Sequence, residues 1–273
     1  MERILVLSGV VSDVIPKKAL GQHWLHDTAV LRSICDAAEV QTGDVVLEVG
    51  PGLGTLTKQL LQRGAQVTAV EFDETLTQKL KDVVWEDGPP NIIQQDILAF
   101  DLTSLPAGYK VVANIPYYLT SNLIRVLCES SNPFSTAAIL IQKEVAERVA
   151  AQPGQMSLLS ISAQFYCDVS LGPIVRAEMF TPPPKVDSQV LVLKYRTEPL
   201  FEDVDVKQFF RVVKAGFSQK RKTLVNSLSA GLAIEKDQVR EMLATADIPE
   251  NTRAQALSLD DWYALYGIAA QAK

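Results

Sequence analysis

Short apolar runs alternate with helical patterns through the first half of this chain, and this alternation limits its fold more than any other feature. Five runs have the pattern of strands, at residues 45–49, 67–70, 91–95, 110–113 and 137–141. Helical patterns lie among them, at residues 55–63, 74–84 and 121–129, and another at residues 28–38 follows the N-cap residue Asp27. Strands that alternate with helices indicate a mostly parallel sheet with helices on both faces, so we expect an α/β fold.

The last third of the chain has a different pattern. After the prolines at residues 182–184, residues 189–195 have the pattern of one late strand. Beyond a shift in composition near residues 196–205 only helical patterns remain, at residues 206–217, 220–228, 236–244 and 259–267. We therefore predict an α/β domain over residues 16–200 and a small all-α domain over residues 201–273. Residues 1–15 form a leader to which we assign no role.

The charge of the chain is unevenly distributed. The formal net charge of the 273 residues is −6, which alone argues against a nucleic-acid-binding protein. Residues 207–225, however, hold six basic and no acidic side chains. Among them Lys220, Arg221 and Lys222 follow a break between two helical patterns, so we expect them at the start of a helix. A basic patch on an acidic protein favours a local contact with a polyanion, and the alternative is a solvated helix face.

Cysteine and histidine usage excludes some classes of site. Cys35, Cys128 and Cys167 are widely spaced and odd in number, which does not fit a disulfide framework or a structural zinc site. With only His23 and His26 as histidines, we expect no metal. No stretch reaches the ~20 apolar residues of a membrane span, and the uncharged run at residues 4–12 is short for a signal peptide. We expect a cytoplasmic protein without a membrane partner.

A glycine-rich turn, Gly50-Pro-Gly-Leu-Gly54, joins the first strand to the following helix. Glycines allow a backbone to approach a ligand closely. Glu71 ends the next strand, where a carboxylate can accept both hydroxyls of a ribose, and Asp96 ends the third strand, where it can accept from an adenine amine. Glu48 precedes the glycines, and a carboxylate there suits a cationic ligand, such as a sulfonium, better than a pyrophosphate.

The tetrapeptide Asn114-Ile-Pro-Tyr117 closes the fourth strand. Pro116 keeps Ile115 extended, so the Ile115 carbonyl can accept a hydrogen bond beside the side-chain oxygen of Asn114. Two acceptors can hold both hydrogens of an amino group and draw its lone pair out of conjugation. Tyr117 offers a ring face on which a base can stack, with a stacking free energy of ~1–3 kcal/mol.

Five motifs in order along the chain carry a family resemblance. They are Gly21-Gln-His-Trp-Leu25, Glu48-Val-Gly-Pro-Gly-Leu-Gly-Thr-Leu-Thr57, Asn114-Ile-Pro-Tyr117, Phe180-Thr-Pro-Pro-Pro-Lys-Val-Asp-Ser188 and Phe217-Ser-Gln-Lys-Arg-Lys-Thr-Leu-Val-Asn-Ser-Leu228. Together they resemble the small-subunit ribosomal RNA adenine dimethyltransferases of the KsgA type. The resemblance implies a Rossmann-like methyltransferase sheet and S-adenosylmethionine as cofactor. It also implies dimethylation of N6 on two adjacent adenosines in the 3′-terminal hairpin of 16S rRNA, during maturation of the small subunit, by a protein we expect to be a monomer.

The same resemblance implies site residues, and it makes the helical domain over residues 201–273 an RNA-binding domain that contacts RNA through Lys220, Arg221 and Lys222. The cofactor would be held by residues of four strand ends and one N-terminal segment: His23, Leu25, Gly50, Gly52, Glu71, Asp96 and Asn114. Asn114 would also position the target amine, and Tyr117 and Phe180 would enclose the flipped adenine. His23 and Trp24 depart from the family pattern, which usually has Asn and Phe there.

Three other functions stay open at this point. A nicotinamide-dependent dehydrogenase is disfavoured by Glu48 and by the Asn114 motif. An erythromycin-resistance-type 23S rRNA methylase shares the N-terminal motifs, but the Phe180 and Phe217 motifs favour the small-subunit type. A non-catalytic assembly or transcription factor on the same fold is disfavoured by the presence of Glu71 and Asp96.

Overall fold

The structure is a computed structural model that describes residues 14–271, so most of the predicted leader lies outside the described residues. The strands found there are β1 (Trp24–Leu25), β2 (Val45–Val49), β3 (Gln66–Glu71), β4 (Asn91–Gln94), β5 (Lys110–Asn114), β6 (Thr136–Gln142), β7 (Cys167–Val175), β8 (Phe180–Thr181) and β9 (Ser188–Tyr195). The α-helices are α1 (Thr28–Ala37), α2 (Thr55–Gln62), α3 (Glu74–Lys81), α4 (Thr120–Cys128), α5 (Lys143–Val149), α6 (Leu158–Tyr166), α7 (Val206–Phe217), α8 (Leu224–Leu232), α9 (Lys236–Thr245) and α10 (Leu259–Gln271).

The main sheet has the strand order β4-β3-β2-β5-β6-β9-β7. The five strands from β4 to β6 are parallel, whereas β9 and β7 are antiparallel to their neighbours. The five predicted runs are the five parallel strands, and the late strand is β9. A separate two-stranded ladder pairs β1 with β8, which places Leu25 opposite Phe180.

Both faces of this sheet are covered. Val46 and Leu47 are neighbours on β2, so their side chains point to opposite faces, and both are fully buried. On one face α1 and α2 pack through Leu31 and Leu60 into a core cluster that includes Val46. The predicted α/β class with a mostly parallel sheet is confirmed.

Local signals explain where the helices begin. The side chain of Asp27 accepts a hydrogen bond from the Val30 amide, as predicted for the N-cap of α1. Asp73 caps α3 in the same way through the amide of Thr75, and Asp205 caps α7 through the amide of Gln208.

The helix predicted over residues 220–228 begins later in the structure, so its predicted first residue is wrong. The structure has a turn there, in which the Lys222 amide donates to the Gln219 carbonyl, and Thr223 is extended before α8 begins at Leu224. The basic residues Lys220, Arg221 and Lys222 therefore lie in the loop between α7 and α8 rather than in the first turn of a helix.

Contacts divide the chain into two compact units. One comprises the described chain up to Ala146 together with Cys167–Tyr195, and the other comprises Glu147–Tyr166 together with the chain from Arg196 onward. The second unit has its own core, in which Phe165 of α6 packs with Phe209 and Trp262. The sequence placed residues 147–166 in the larger domain, whereas the structure packs them with the C-terminal helices.

Among the described residues no helix is long and apolar enough to cross a membrane. Cys35, Cys128 and Cys167 are free thiols, and all three are buried.

Candidate functional site

The strand order creates a crevice at one edge of the sheet. The chain runs outward from β2 to β3 and β4, and then returns to place β5 on the other side of β2. In open α/β sheets, ligands bind at such a reversal, beyond the carboxyl ends of the strands. Here a cavity of about 300 Å³ lies at that place, a size typical of small-molecule sites.

The structure brings all the predicted cofactor and catalytic residues together around this cavity. They are His23, Leu25, Gly50, Gly52, Glu71, Asp96, Asn114, Tyr117 and Phe180. They come from the ends of four parallel strands and from the ladder between β1 and β8, so distant parts of the sequence converge. Their individual roles stay predictions.

The glycine turn has a backbone that other residues adopt rarely. Gly50, Gly52 and Gly54 all have positive φ angles, of 68°, 58° and 81°. A Cβ atom on Gly52 would meet the ring of Trp24 at 3.6 Å, and one on Gly54 would come within 2.8 Å of Trp85. The turn therefore requires glycine for its conformation, and at Gly54 also for space.

Glu71 serves both the turn and the cavity. Its carboxylate accepts from the Gly52 amide at 3.2 Å and from the Asp73 amide at 2.8 Å. The side chain is 6% exposed, and this burial raises its pKa above the ordinary value of 4.5. Glu71 thus fixes the turn after β2 while it faces the cavity from β3.

Asp96 and Asp73 hold the neighbouring loops. Asp96 is exposed and accepts from the Leu98 amide at 2.9 Å with one oxygen, which caps a short 3-10 helix. Asp73 binds Lys17 at 2.8 Å and Gln22 at 3.2 Å, and so ties the segment before β1 to the end of β3.

Glu48 does not reach the cavity. It lies behind the glycine turn and is fully buried, and neither of its carboxylate oxygens has a well-formed hydrogen bond in the described part of the chain. Burial raises its pKa to about 8; the nearby Thr57 opposes this shift, and the carboxylate of Glu71 adds to it. Because Glu48 does not line the cavity, no contact in the described part of the chain supports a direct bond between Glu48 and a cationic ligand, and that interpretation stays a prediction.

Asn114 faces the cavity from the end of β5. Its amide nitrogen lies 3.5 Å from the backbone oxygen of His23, to which it donates. This contact occupies the amide nitrogen of Asn114, so its side-chain oxygen stays available to accept a hydrogen bond from a ligand. Ile115, next in the chain, also lines the cavity.

His23 makes its contacts on the side of the aromatic residues. Its Nδ1 lies 2.7 Å from the Pro182 carbonyl and must donate, because a carbonyl only accepts. Its ring stacks on that of Tyr117, with centroids 6.0 Å apart. A cofactor contact by His23 stays a prediction.

The two aromatic residues predicted to enclose a base differ in exposure. Tyr117 is half-buried and its hydroxyl lies 2.8 Å from Ser188 Oγ. Phe180 is 3% exposed and belongs to the core cluster with Leu25. Tyr117 therefore offers an incoming ring the larger accessible face.

Two exposed aromatic residues at this site were not predicted. Phe72 is 62% exposed and Tyr118 is 66% exposed, and both line the cavity. Each directly follows a predicted residue, Glu71 or Tyr117, and large apolar side chains after strand-end polar residues are the signal that could have identified them.

The basic loop of the other unit is accessible. Lys220, Arg221 and Lys222 are all exposed. Within residues 14–271 there is no group of three or more His, Cys, Asp or Glu side chains placed to hold a metal ion.

Comparison with known proteins assigns this chain to a family. The family model for ribosomal RNA adenine dimethylase matches residues 16–271. A curated relative from Dehalococcoides mccartyi (strain CBDB1), named ribosomal RNA small subunit methyltransferase A, is 40% identical over 255 residues, which are 90% of this chain and 86% of the relative.

Solved structures agree with the fold. A dimethyladenosine transferase from Plasmodium falciparum has a TM-score of 0.75 at 27% identity, over 89% of this chain and 96% of that one. The 23S rRNA methyltransferase ErmE has a TM-score of 0.71 at 26% identity, over 91% of this chain and 100% of that one. Because the family model spans the cavity and the helical unit alike, and the curated relative covers nine tenths of the chain, this protein belongs to the ribosomal RNA adenine dimethylase family.

Proposed function

We propose that this protein transfers methyl groups from S-adenosylmethionine to N6 of two adjacent adenosines in the 3′-terminal hairpin of small-subunit rRNA. The observation that carries the proposal is the convergence on one cavity of the glycine turn, the Glu71 carboxylate, the Asn114 acceptor and the Tyr117 ring. The curated relative named for the small subunit supports the choice of 16S rRNA.

The lining fits an adenosyl ligand. The Gly50–Gly54 turn leaves room for a backbone approach, since its φ angles exclude most side chains. Glu71 and Asp96 supply carboxylate oxygens at neighbouring strand ends for a ribose and an adenine amine. When bound, S-adenosylmethionine supplies an electrophilic methyl group on its sulfonium.

The chain's own residues would position the target base. The Asn114 side-chain oxygen and the Ile115 carbonyl accept the two N6 hydrogens, which directs the nitrogen lone pair toward the methyl group. Tyr117 stacks on the base after it leaves its helix, a step that costs a few kcal/mol. No nucleophile of the protein is needed, because orientation and preorganised acceptors lower the barrier.

The substitution Asn114→Ala tests this arrangement. We expect it to abolish turnover while RNA binding is largely retained, because the acceptor orients the amine and does not contact the duplex. Single-turnover methylation and filter binding on the same preparation separate the two effects. Asn91→Ala, at the exposed start of β4, is the matched control and should behave as the wild type. Near-wild-type turnover by Asn114→Ala would contradict the assignment.

A second candidate is methylation of 23S rRNA. The likeness to ErmE covers nearly the whole chain, so the fold is compatible with either RNA. Transfer of radiolabelled methyl groups, followed by separation of 16S and 23S rRNA, shows which RNA is methylated and so distinguishes the two functions.

A further inference from the structure

Ser188 ends the proline-rich motif that begins at Phe180, and no role has been assigned to it so far. It is the first residue of β9 and is fully buried. Its hydroxyl oxygen lies 2.8 Å from the phenol oxygen of Tyr117, 71 residues away in the sequence.

The sheet register explains how these two residues meet. Ser188 pairs with Gln142, the last residue of β6, because β9 runs antiparallel to β6. Tyr117 follows β5, which is the other neighbour of β6. The Tyr117 side chain therefore reaches across the carboxyl end of β6, and its phenol group is bound on the far side.

The physical chemistry favours a persistent bond. A buried hydroxyl that loses its hydrogen-bond partner is destabilised by its desolvation, so the bond between Ser188 and Tyr117 is favoured over its absence. Burial raises the pKa of Tyr117, and its phenol keeps its proton at neutral pH. The ring is thus fixed by the backbone at one end and by Ser188 at the other, while His23 stacks beside it.

We propose that Ser188 is a positioning residue whose hydroxyl fixes the Tyr117 ring in the orientation that receives the target adenine. This inference rests on the proposed function and deepens it. A ring that is already immobilised loses little conformational entropy when a base stacks on it. More of the stacking free energy is therefore available to hold N6 of the base near Asn114.

Two substitutions remove the bond from opposite ends. Ser188→Ala and Tyr117→Phe both keep the aromatic ring. We expect each to lower the single-turnover rate of methyl transfer about three- to tenfold, as for one net hydrogen bond. The double variant should be no slower than the slower single variant, because both changes delete the same interaction. The dissociation constants for S-adenosylmethionine and for RNA should stay unchanged, since phosphate contacts dominate RNA affinity.

The controls separate positioning from stability. Ser160→Ala, an equally buried serine in α6, should leave the rate unchanged. Ser188→Thr retains a hydroxyl and should restore activity. A wild-type rate in folded Ser188→Ala, or additive losses in the double variant, would overturn the proposal. If Ser188→Ala does not fold, a wild-type rate in Tyr117→Phe overturns it alone. Wild-type protein that transfers no methyl to any rRNA would instead overturn the proposed function, and this inference with it.

Discussion

At the scale of single residues, Glu71 faces the cavity and also holds the glycine turn. Its two oxygens accept from the Gly52 and Asp73 amides, so removal of the side chain disturbs the turn as well as the proposed ribose contact. The position of Glu71 at the end of a strand predicted a ribose contact. Its contacts with the two amides could not be predicted, because they depend on the distance between the ends of β2 and β3.

We expect Glu71→Ala to weaken binding of S-adenosylmethionine about tenfold to hundredfold without unfolding the protein, since a hydrogen bond to a charged group contributes ~1.5–3 kcal/mol. Titration calorimetry measures this affinity. Glu71→Gln keeps one acceptor and should lie between Ala and the wild type. The exposed neighbour Glu74 offers a control, because Glu74→Ala removes a carboxylate that does not line the cavity. Unchanged affinity in Glu71→Ala would contradict the ribose assignment.

The buried carboxyl group of Glu48 should make the stability of the protein depend on pH. Burial raises its pKa in the folded protein to about 8, from an ordinary value of 4.5. Between these values the folded protein holds a proton that the unfolded chain has released, so the free energy of unfolding falls as the pH rises through this range. The stabilising effect of the proton is fully present below the unfolded pKa and is lost as the pH approaches the folded pKa.

Glu48→Gln should remove this dependence. Urea unfolding of the variant and the wild type at several pH values from about 5 to 9 gives the difference in the free energy of unfolding. As the pH rises, we expect the free energy of unfolding of the wild type to fall relative to that of Glu48→Gln, whichever protein is more stable at low pH. Parallel curves for the two proteins would mean that Glu48 is ionised in the fold.

At the scale of secondary-structure elements, the sequence predicts the parallel strands well because their apolar runs are short and bounded by turn residues. It misses β7, because Gly172 and Pro173 interrupt that strand and its register shifts between Leu171 and Ile174. Edge strands with such an irregularity lack the period-2 pattern on which the prediction depends.

The loop before α8 shows a different limit. A basic run followed by apolar residues fits a helix equally well from Lys220 or from Leu224, and only the turn at residues 219–222 decides. Lys220, Arg221 and Lys222 are therefore exposed charges on a loop, outside the first turn of α8, where cations would oppose the helix dipole.

We expect the triple substitution Lys220→Ala, Arg221→Ala and Lys222→Ala to weaken binding to 30S particles. It should also flatten the log–log salt dependence by about two, since each phosphate that a cation neutralises adds roughly 0.7–0.9 to the slope. Affinity for S-adenosylmethionine should not change. Filter binding across a salt series measures the slope.

The control for this loop removes the same number of charges elsewhere. Lys81→Ala, Arg125→Ala and Lys236→Ala together alter exposed basic side chains on α3, α4 and α9. This variant should keep the wild-type slope. An unchanged slope in the loop variant would mean that the loop is a solvated surface and that RNA binds elsewhere.

At the scale of the whole molecule, the sequence predicts two folded parts but not their full membership. Residues 147–166 join the helical unit although the antiparallel strands β7 and β9 follow them and belong to the sheet. A sequence pattern places a segment in the same domain as the segments next to it in the chain. In the structure, however, Phe165 packs against Phe209, more than forty residues away, and so joins α6 to the helical unit. The cavity, by contrast, could be predicted, because each of its strand-end residues carries a distinctive chemical type.

The most direct test of the whole account is transfer of tritiated methyl groups from S-adenosylmethionine to 30S particles that lack the modification. We predict incorporation into 16S rRNA, confined to the two adjacent adenosines of the 3′-terminal hairpin, with N6,N6-dimethyladenosine as the final product. Incorporation into 23S rRNA, or none into either RNA by folded protein, would contradict the account.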